Sequence, residues 1–285
     1  MIVVEKIAEL RNIIDELRSA GRKIGFVPTM GALHDGHLSL VKACQKELSA
    51  TVVSIFVNPT QFNDPHDFEV YPTDNAGDLK KLEDLGGVEV VFMPGVDDVY
   101  PLGSEITVEP GPMSQVLCGM SRQGHFRGVL TVVMKLFNMV KPDAAFFGAK
   151  DYQQFSLISK MVQDLNLDIE LRLGATVREE DGLAMSSRNK HLSAEEREEA
   201  PILFQALEMG RRTISKGETR PMEAIAQMMT LIIENSRFEV DYLSIVDPVT
   251  LQDKEEVSPK TPYVIAVAAF IGKTRLIDNI LVLPN

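Results

Sequence analysis

The chain has 285 residues, 45% apolar and 25% charged, an ordinary balance for a soluble globular protein able to bury one large α/β core or two smaller ones. No apolar run reaches the roughly 20 residues that cross a bilayer, and the acidic, helically periodic opening MIVVEKIAELRNIIDELRSAG lacks a signal peptide's basic head and apolar core, so a cytoplasmic protein without a membrane span is expected. A formal net charge of −12 argues against extended nucleic acid contact, and Cys44 and Cys118, far apart and outside any C-x-x-C, argue against a disulfide framework.

Val3 to Ala20 reads as an amphipathic helix with Ile7, Leu10, Ile13, Ile14 and Leu17 on one stripe, stopped by Gly21. Lys23 to Val27 has the short apolar look of a buried strand, and Leu38, Leu40 and Val41 begin a helical pattern running to about Leu48. Between them PTMGALHDGHLSLV places His34, Gly36 and His37 at a strand-to-helix turn. In an open α/β sheet such a turn lies at the carboxyl end of a strand, where unpaired first-turn amides and the helix dipole favour phosphate. His34 and His37 are three apart, close to one helical turn, so both rings can lean over the same helix end. Their N–H groups can donate to phosphoryl oxygens without a full positive charge. A simple cap is the bland alternative. A zinc site is another, but H-E-x-x-H spacing is absent and no nearby cysteine or third histidine completes it.

Thr51 to Val57 is a second buried strand, completing a βαβ unit, and it runs into Asn58, Gln61 and Phe62 at the same sheet edge. There the two amides can read substrate hydroxyls or simply build a polar turn. Asp74 to Leu85 is expected as helix and Val88 to Phe92 as strand; residues 94 to 128 look irregular, with Arg122 and His125 either contacting an anion or solvating a loop. Val129 to Val140 reads as a long apolar helix closed by Pro142, and Asp143 to Phe147 as another buried strand. That strand ends in Gly148-Ala149-Lys150-Asp151, a turn that puts a compact positive charge where phosphate would lie, before a helix from Tyr152 to about Leu165. Leu171 to Val177 is a strand leading to Met185-Ser186-Ser187-Arg188, a loop with two hydroxyls and a guanidinium. Two charged helical stretches, His191 to Lys216 and Pro221 to Ser236, then precede strands Phe238 to Val246, Tyr263 to Phe270 and Thr274 to Leu283. Helices first and strands after mark an α+β module. The fold class is therefore α/β: a parallel sheet domain with a smaller C-terminal α+β domain, the boundary falling near residues 175 to 190.

The blocks FVPTMGALHDGHLSLV, FVNPTQF, GHFRGVLTVV, FFGAKDYQQ and AMSSRN stand in this order along the chain. With these blocks at these separations, the sequence resembles the pantothenate synthetase (pantoate–β-alanine ligase) family from end to end. H-x-G-H and M-S-S-R also resemble the HIGH and KMSKS elements of the wider nucleotidylyltransferase superfamily. The resemblance implies that ATP and (R)-pantoate give pantoyl adenylate and pyrophosphate, and that β-alanine then displaces AMP to form pantothenate. It implies a Rossmann-like nucleotide- and pantoate-binding domain over residues 1–175 and a C-terminal α+β lid domain carrying the MSSR loop over 176–285. Carried over by motif, Met30, Gly31, Ala32, Leu33, His34, Asp35, Gly36 and His37 would line the ATP site, with Gly148, Ala149, Lys150, Asp151, Val177, Met185, Ser186, Ser187 and Arg188 completing it. His37, His34 and Lys150 would be catalytic. Gln61 and Gln154 would hold pantoate, and Gln61 would border β-alanine. Mg2+ would accompany ATP, with Asp78 at a family position for its ligand, a helix-surface acid being the alternative. A homodimer is also implied. The chain departs from the family at Ala149, where Glu is common, and at Tyr71 to Asp74, where YPTD replaces YPRT.

Two other readings compete: a nucleotidylyltransferase acting on another small substrate, and an inactive nucleotide sensor on the same fold. The Gln61 and Gln154 pair favours a small hydroxy acid, and His34, His37, Lys150 and Arg188 together weigh against a sensor. A class I aminoacyl-tRNA synthetase shares the motifs, but the acidic balance and short chain speak against it.

Overall fold

The computed structural model describes residues 1–63 and 65–284. The chain divides into two units: Met1–Pro110, Arg122–Ala149 and Leu157–Ala175 form the first, and Gly111–Ser121, Lys150–Ser156 and Thr176–Asn285 the second. The first is built on a parallel sheet of six strands, β1 (Ile2–Val4), β2 (Ile24–Thr29), β3 (Ala50–Ile55), β4 (Val90–Phe92), β5 (Ala144–Gly148) and β6 (Glu170–Gly174), in the order β1-β4-β3-β2-β5-β6. The intervening helices are α1 (Ile7–Ser19), α2 (Asp35–Glu47), α3 (Pro65–Glu69), α4 (Asn75–Leu85), α5 (Val96–Val99), α6 (Cys118–Ser121), α7 (His125–Val140) and α8 (Tyr152–Asp164), of which α6 and the start of α8, through Ser156, belong to the second unit. Leu40, Val41 and Cys44 of α2 and Leu82 of α4 pack on Val27, Val53, Val91 and Phe146 of the sheet, the buried face that the β-branched strands require.

Strand order reverses at β2, which has β3 on one side and β5 on the other, so the carboxyl ends of β2 and β5 flank a topological switch point. Pro28 opens that edge further. Ile24 accepts from the Asp143 amide beside β5, while Thr29 accepts from Phe56 on the β3 side. Alternation then turns Pro28 toward β5, where it has no N–H to give. The β2–β5 ladder stops at Phe26↔Ala145, whereas β2 stays paired with β3 through Thr29↔Ile55.

In the second unit, α9 (Ala194–Glu199), α10 (Ile202–Ser215) and α11 (Pro221–Asn235) precede an antiparallel sheet of β7 (Glu239–Val246), β8 (Tyr263–Ile271) and β9 (Thr274–Val282) in the order β7-β8-β9. Leu203, Leu207, Ile214, Met228 and Ile232 cover one face against Leu243, Ile245, Ile265 and Val267. On the other face, Val246, Val264 and Ala266 pack with Leu117 and Leu251. A Cβ at Gly210 of α10 would come within 2.4 Å of the Met228 sulfur of α11, so any larger residue there has to displace the methionine side chain.

The expected α/β class, with a smaller α+β module after it, is what the chain forms. Several boundaries differ. Ile2–Val4 is an edge strand paired with β4 rather than the start of a helix, because a three-residue β-branched run gains a ladder with Val90–Phe92, which propensity along the chain does not reveal. The helical stretch from His191 is broken, since Pro201 cannot continue a hydrogen-bonded helix, and α9 and α10 fall on either side of it. The apolar helix begins at His125 rather than Val129, and β6 ends at Gly174 rather than Val177.

Candidate active site

In the first unit, the turn from β2 to α2 is bent through Gly31 (φ 81°) and Ala32 (φ 50°). It is held from both sides. Thr29 Oγ1 accepts from the Gly31 amide at 3.2 Å and donates to the Ser54 carbonyl at 2.7 Å. From α4, Asp78 Oδ1 accepts from the Leu33 amide at 2.7 Å, and Lys81 Nζ donates to the Leu33 carbonyl at 2.7 Å. Asp78 is 0% exposed, so it is not a helix-surface acid. Its Oδ2 has no hydrogen-bond partner among the described residues, and a Cβ on Gly31 would lie 3.0 Å from it.

His34 is the N-cap of α2. Its Nδ1 accepts from the Gly36 amide at 3.2 Å, and His37 Nδ1 accepts from the His34 amide at 3.4 Å, a reciprocal cap made by two imidazoles. The rings stack with centroids 4.1 Å apart and planes tilted by 36°. This changes how the helix end can bind an anion. The Gly36 and His34 amides are taken by the rings and the His37 amide by the His34 carbonyl at 2.8 Å. With each Nδ1 accepting, the proton of a neutral ring sits on Nε2, on the far side of the ring. Gly36 serves the same arrangement, since a Cβ there would come within 2.9 Å of the His34 ring.

Beyond β3, Gln61 is 8% exposed and bonds at both ends of its amide: Oε1 accepts from Asn58 Nδ2 at 3.0 Å, and Nε2 reaches Met30 Sδ at 3.1 Å. The structure thus brings Gln61 beside the histidine turn. Asn58, 1% exposed, is bonded into the framework of the loop. Its Oδ1 accepts from the Thr60 hydroxyl at 3.0 Å and the Tyr100 hydroxyl at 2.8 Å, and its Nδ2 also donates to the Gly128 carbonyl at 3.2 Å. Burial pushes the Tyr100 phenol up, so it stays protonated and donates. His125 Nδ1–H donates to the Gln61 carbonyl at 2.8 Å, and its Nε2 accepts from Arg122 at 3.0 Å. Of the two readings of Arg122 and His125, the structure therefore gives a third, support of the Gln61 backbone. Gly128 completes it: a Cβ there would lie 2.3 Å from the Thr60 carbonyl oxygen, so glycine lets the first turn of α7 lie against this loop.

Gly148 ends β5, where an added Cβ would meet nothing within 4 Å, and Ala149 opens the 3-10 turn Ala149–Asp151. Lys150 follows, in the second unit, with 18% of its side chain exposed and Nζ 3.6 Å from Asp151 Oδ1. Gln154, in the first turn of α8, is half-buried; its neighbour Gln153 is structural, holding the Cys118 amide and the Met113 and Val116 carbonyls. Residues 177–185 form a tight hairpin: Met185 N–H donates to the Val177 carbonyl at 3.0 Å and Arg178 bridges Ala184. Ser186 caps the 3-10 turn Ser187–His191, accepting from the Arg188 amide at 3.2 Å. Ser187 is buried and Arg188 half-buried. Among the described residues no group of three or more His, Cys, Asp or Glu is placed to hold a metal ion.

The family model described as Pantoate-beta-alanine ligase matches residues 2–281. A pantothenate synthetase of Thermosipho africanus is 49% identical over 282 residues, covering 99% of this chain and 100% of that protein, and one of Thermosipho melanesiensis is 50% identical with 99% of each covered. Among solved structures, the Thermus thermophilus pantothenate synthetase aligns over 100% of both chains with TM-score 0.94 and 42% identity. A pantoate-beta-alanine ligase from Francisella tularensis, complexed with beta-gamma ATP and beta-alanine, aligns with TM-score 0.81 and 37% identity over 99% of this chain and 97% of that one.

Proposed function

The chain belongs to the pantoate-beta-alanine ligase family, and from that premise we propose how its residues divide the work. The reaction is the ATP-dependent condensation of (R)-pantoate with β-alanine to pantothenate, by way of a pantoyl adenylate. A carboxylate oxygen of pantoate attacks the α-phosphorus, the bond from that phosphorus to its bridging oxygen breaks, and pyrophosphate leaves with the charge. The neutral amine of β-alanine then attacks the acyl carbon, AMP departs, and the amine gives up a proton.

The observation that carries the proposal is the paired cap of α2. Locking both Nδ1 atoms on main-chain amides fixes each ring and its tautomer, so Nε2–H of His37, with His34 beside it, is a preorganised neutral donor. Such a donor stabilises charge growing on the phosphates without attracting ground-state ATP as strongly as a full cation would. We assign Met30 to His37, Gly148 to Asp151, Val177 and Met185 to Arg188 to ATP. Lys150, Ser186, Ser187 and Arg188 take the triphosphate charge. Gln61 and Gln154 hold pantoate through its hydroxyls, and Gln61 borders β-alanine. Residues 1–175 are proposed as the nucleotide and pantoate domain, and 176–285 as the lid that keeps the adenylate from water. Pyrophosphate release that requires pantoate, and AMP release that further requires β-alanine, are the expected results when each substrate is omitted in turn. Pyrophosphate release supported by a mononucleotide in place of pantoate would sink this reading.

Magnesium is proposed to enter with ATP, most of its ligands being phosphate oxygens and water, and to act as a Lewis acid on the phosphates. The unpartnered Asp78 Oδ2 is the carboxylate atom that fits it or one of its waters. Asp78→Asn keeps an acceptor for the Leu33 amide while removing the charge. It is expected to raise the Mg2+ concentration for half-maximal pyrophosphate release by about tenfold, the scale of losing an outer partner of a metal, with Tm nearly unchanged. Unaltered Mg2+ dependence would confine Asp78 to holding the turn. The protein is further proposed to be cytoplasmic and a homodimer, on its likeness to the family; sedimentation at twice the 31.6 kDa chain mass tests the dimer.

A further inference from the structure

In the second unit, two elements assigned to the triphosphate rest on one pair of neighbouring residues in β9. Asn279 Nδ2 donates to the main-chain carbonyl of Lys150 at 2.8 Å. Asp278, 5% exposed, accepts two N–H groups of the Arg178 guanidinium at 2.6 and 3.0 Å. Arg178 is the hairpin residue opposite Ala184, immediately before Met185, and it also donates to the carbonyls of Gly182 at 3.0 Å and Asn279 at 3.4 Å. Its guanidinium lies over the Phe204 ring of α10, 3.8 Å from the centroid, which fixes its plane. Asn279 N–H donates to Asp278 Oδ1 at 2.8 Å, closing the network.

An acid and an amide buried side by side in a strand are poor choices for packing alone, since apolar replacements of a buried ion pair are often no less stable. The network does have a placement to perform. It fixes the main chain at Lys150 against the root of the Met185–Arg188 loop. Burial pushes the Asp278 carboxyl up, and Arg178 and, further down, Lys150 oppose that shift, so the ammonium's charge is felt at this pair.

We propose that Asp278 and Asn279 are positioning residues for adenylate formation: they set the Lys150 ammonium relative to the Met185–Arg188 loop, Asn279 through the Lys150 main chain and Asp278 through Arg178. The proposal rests on the reading that both elements serve one triphosphate. Asn279→Ala removes the anchor without leaving a buried charge, and Asn279→Ser serves the same comparison should the alanine variant fold poorly. Two half-reactions are followed, pantoate-dependent pyrophosphate release and β-alanine-dependent AMP release from supplied pantoyl adenylate. A displaced charge about 1 Å from its working position slows chemistry by up to about 100-fold, so Asn279→Ala is expected to cost the first half-reaction about 10-fold. The second, from which pyrophosphate is already gone, is expected to stay within about twofold of wild type. In a Lys150→Ala background, Asn279→Ala is expected to cost nothing further, because it acts through the group already removed. Equal losses in both half-reactions, no loss in the first, or a full additional loss on top of Lys150→Ala each overturn the proposal. If Lys150→Ala slows the first half-reaction as expected and Asn279→Ala does not, this proposal falls alone; if Lys150→Ala itself is silent, the triphosphate reading falls and takes this one with it.

Discussion

Replacing His37 by alanine is expected to slow pantoate-dependent pyrophosphate release at least about 100-fold, the scale of one lost transition-state donor. The substitution removes two things. One is the acceptor for the His34 amide, a helix-cap bond worth about 0.5–2 kcal/mol of stability. The other is the Nε2–H donor. Amide side chains separate them: asparagine can place an oxygen near the position of Nδ1, whereas glutamine can reach the position of Nε2. His37→Asn is therefore expected to restore Tm while remaining as slow as alanine, and His37→Gln to recover part of the rate. Stopped-time pyrophosphate assays beside thermal unfolding make the comparison. An asparagine variant with near-normal turnover would show that the imidazole only caps the helix, and the donor mechanism would fail.

The same turn explains why parts of the site were legible in the sequence and others were not. A buried strand, a glycine turn and a helix start are consecutive residues, so His34, His37 and Lys150 could be placed at strand ends from local pattern alone. That the rings would cap the helix was one of the sequence readings and is what the structure forms, but which amides they take was not legible, because it depends on the rotamers that bring the two imidazoles 4.1 Å apart. The supports of the site are long-range. His125 donates to the Gln61 carbonyl across 64 positions, Asp78 reaches Leu33 across 45, and Arg178 meets Asp278 across 100. No window of sequence contains both partners. A weaker signal did exist for the last of these: Asp278-Asn279 interrupts the apolar strand LIDNILV, and a polar pair inside a buried strand has to find hydrogen bonds somewhere. The edge strand Ile2–Val4 went unread for the same reason, since its ladder partner is Val90–Phe92.

Lys150→Ala is expected to match His37→Ala, with a loss of at least about 100-fold in pyrophosphate release, for a different physical reason. As the bond to the bridging oxygen breaks, negative charge moves onto pyrophosphate, and a compact ammonium beside it gains more from that charge than from bound ATP. The ammonium sits 3.6 Å from the Asp151 carboxylate, which is 47% exposed. A pair this open to water contributes at most about 1 kcal/mol, so Asp151 can release Lys150 to a phosphate, and a fall in stability cannot account for a 100-fold loss of rate. Charge alone is not sufficient: Lys150→Arg keeps the cation but substitutes a longer planar fork for a point charge, and only partial recovery is expected. The half-reactions locate the effect. With pantoyl adenylate supplied, no pyrophosphate remains to be stabilised, and β-alanine-dependent AMP release by Lys150→Ala is expected within about threefold of wild type. Equal damage to both half-reactions would move Lys150 from the leaving group to the general architecture of the site, and near-normal pyrophosphate release would remove it from the chemistry altogether.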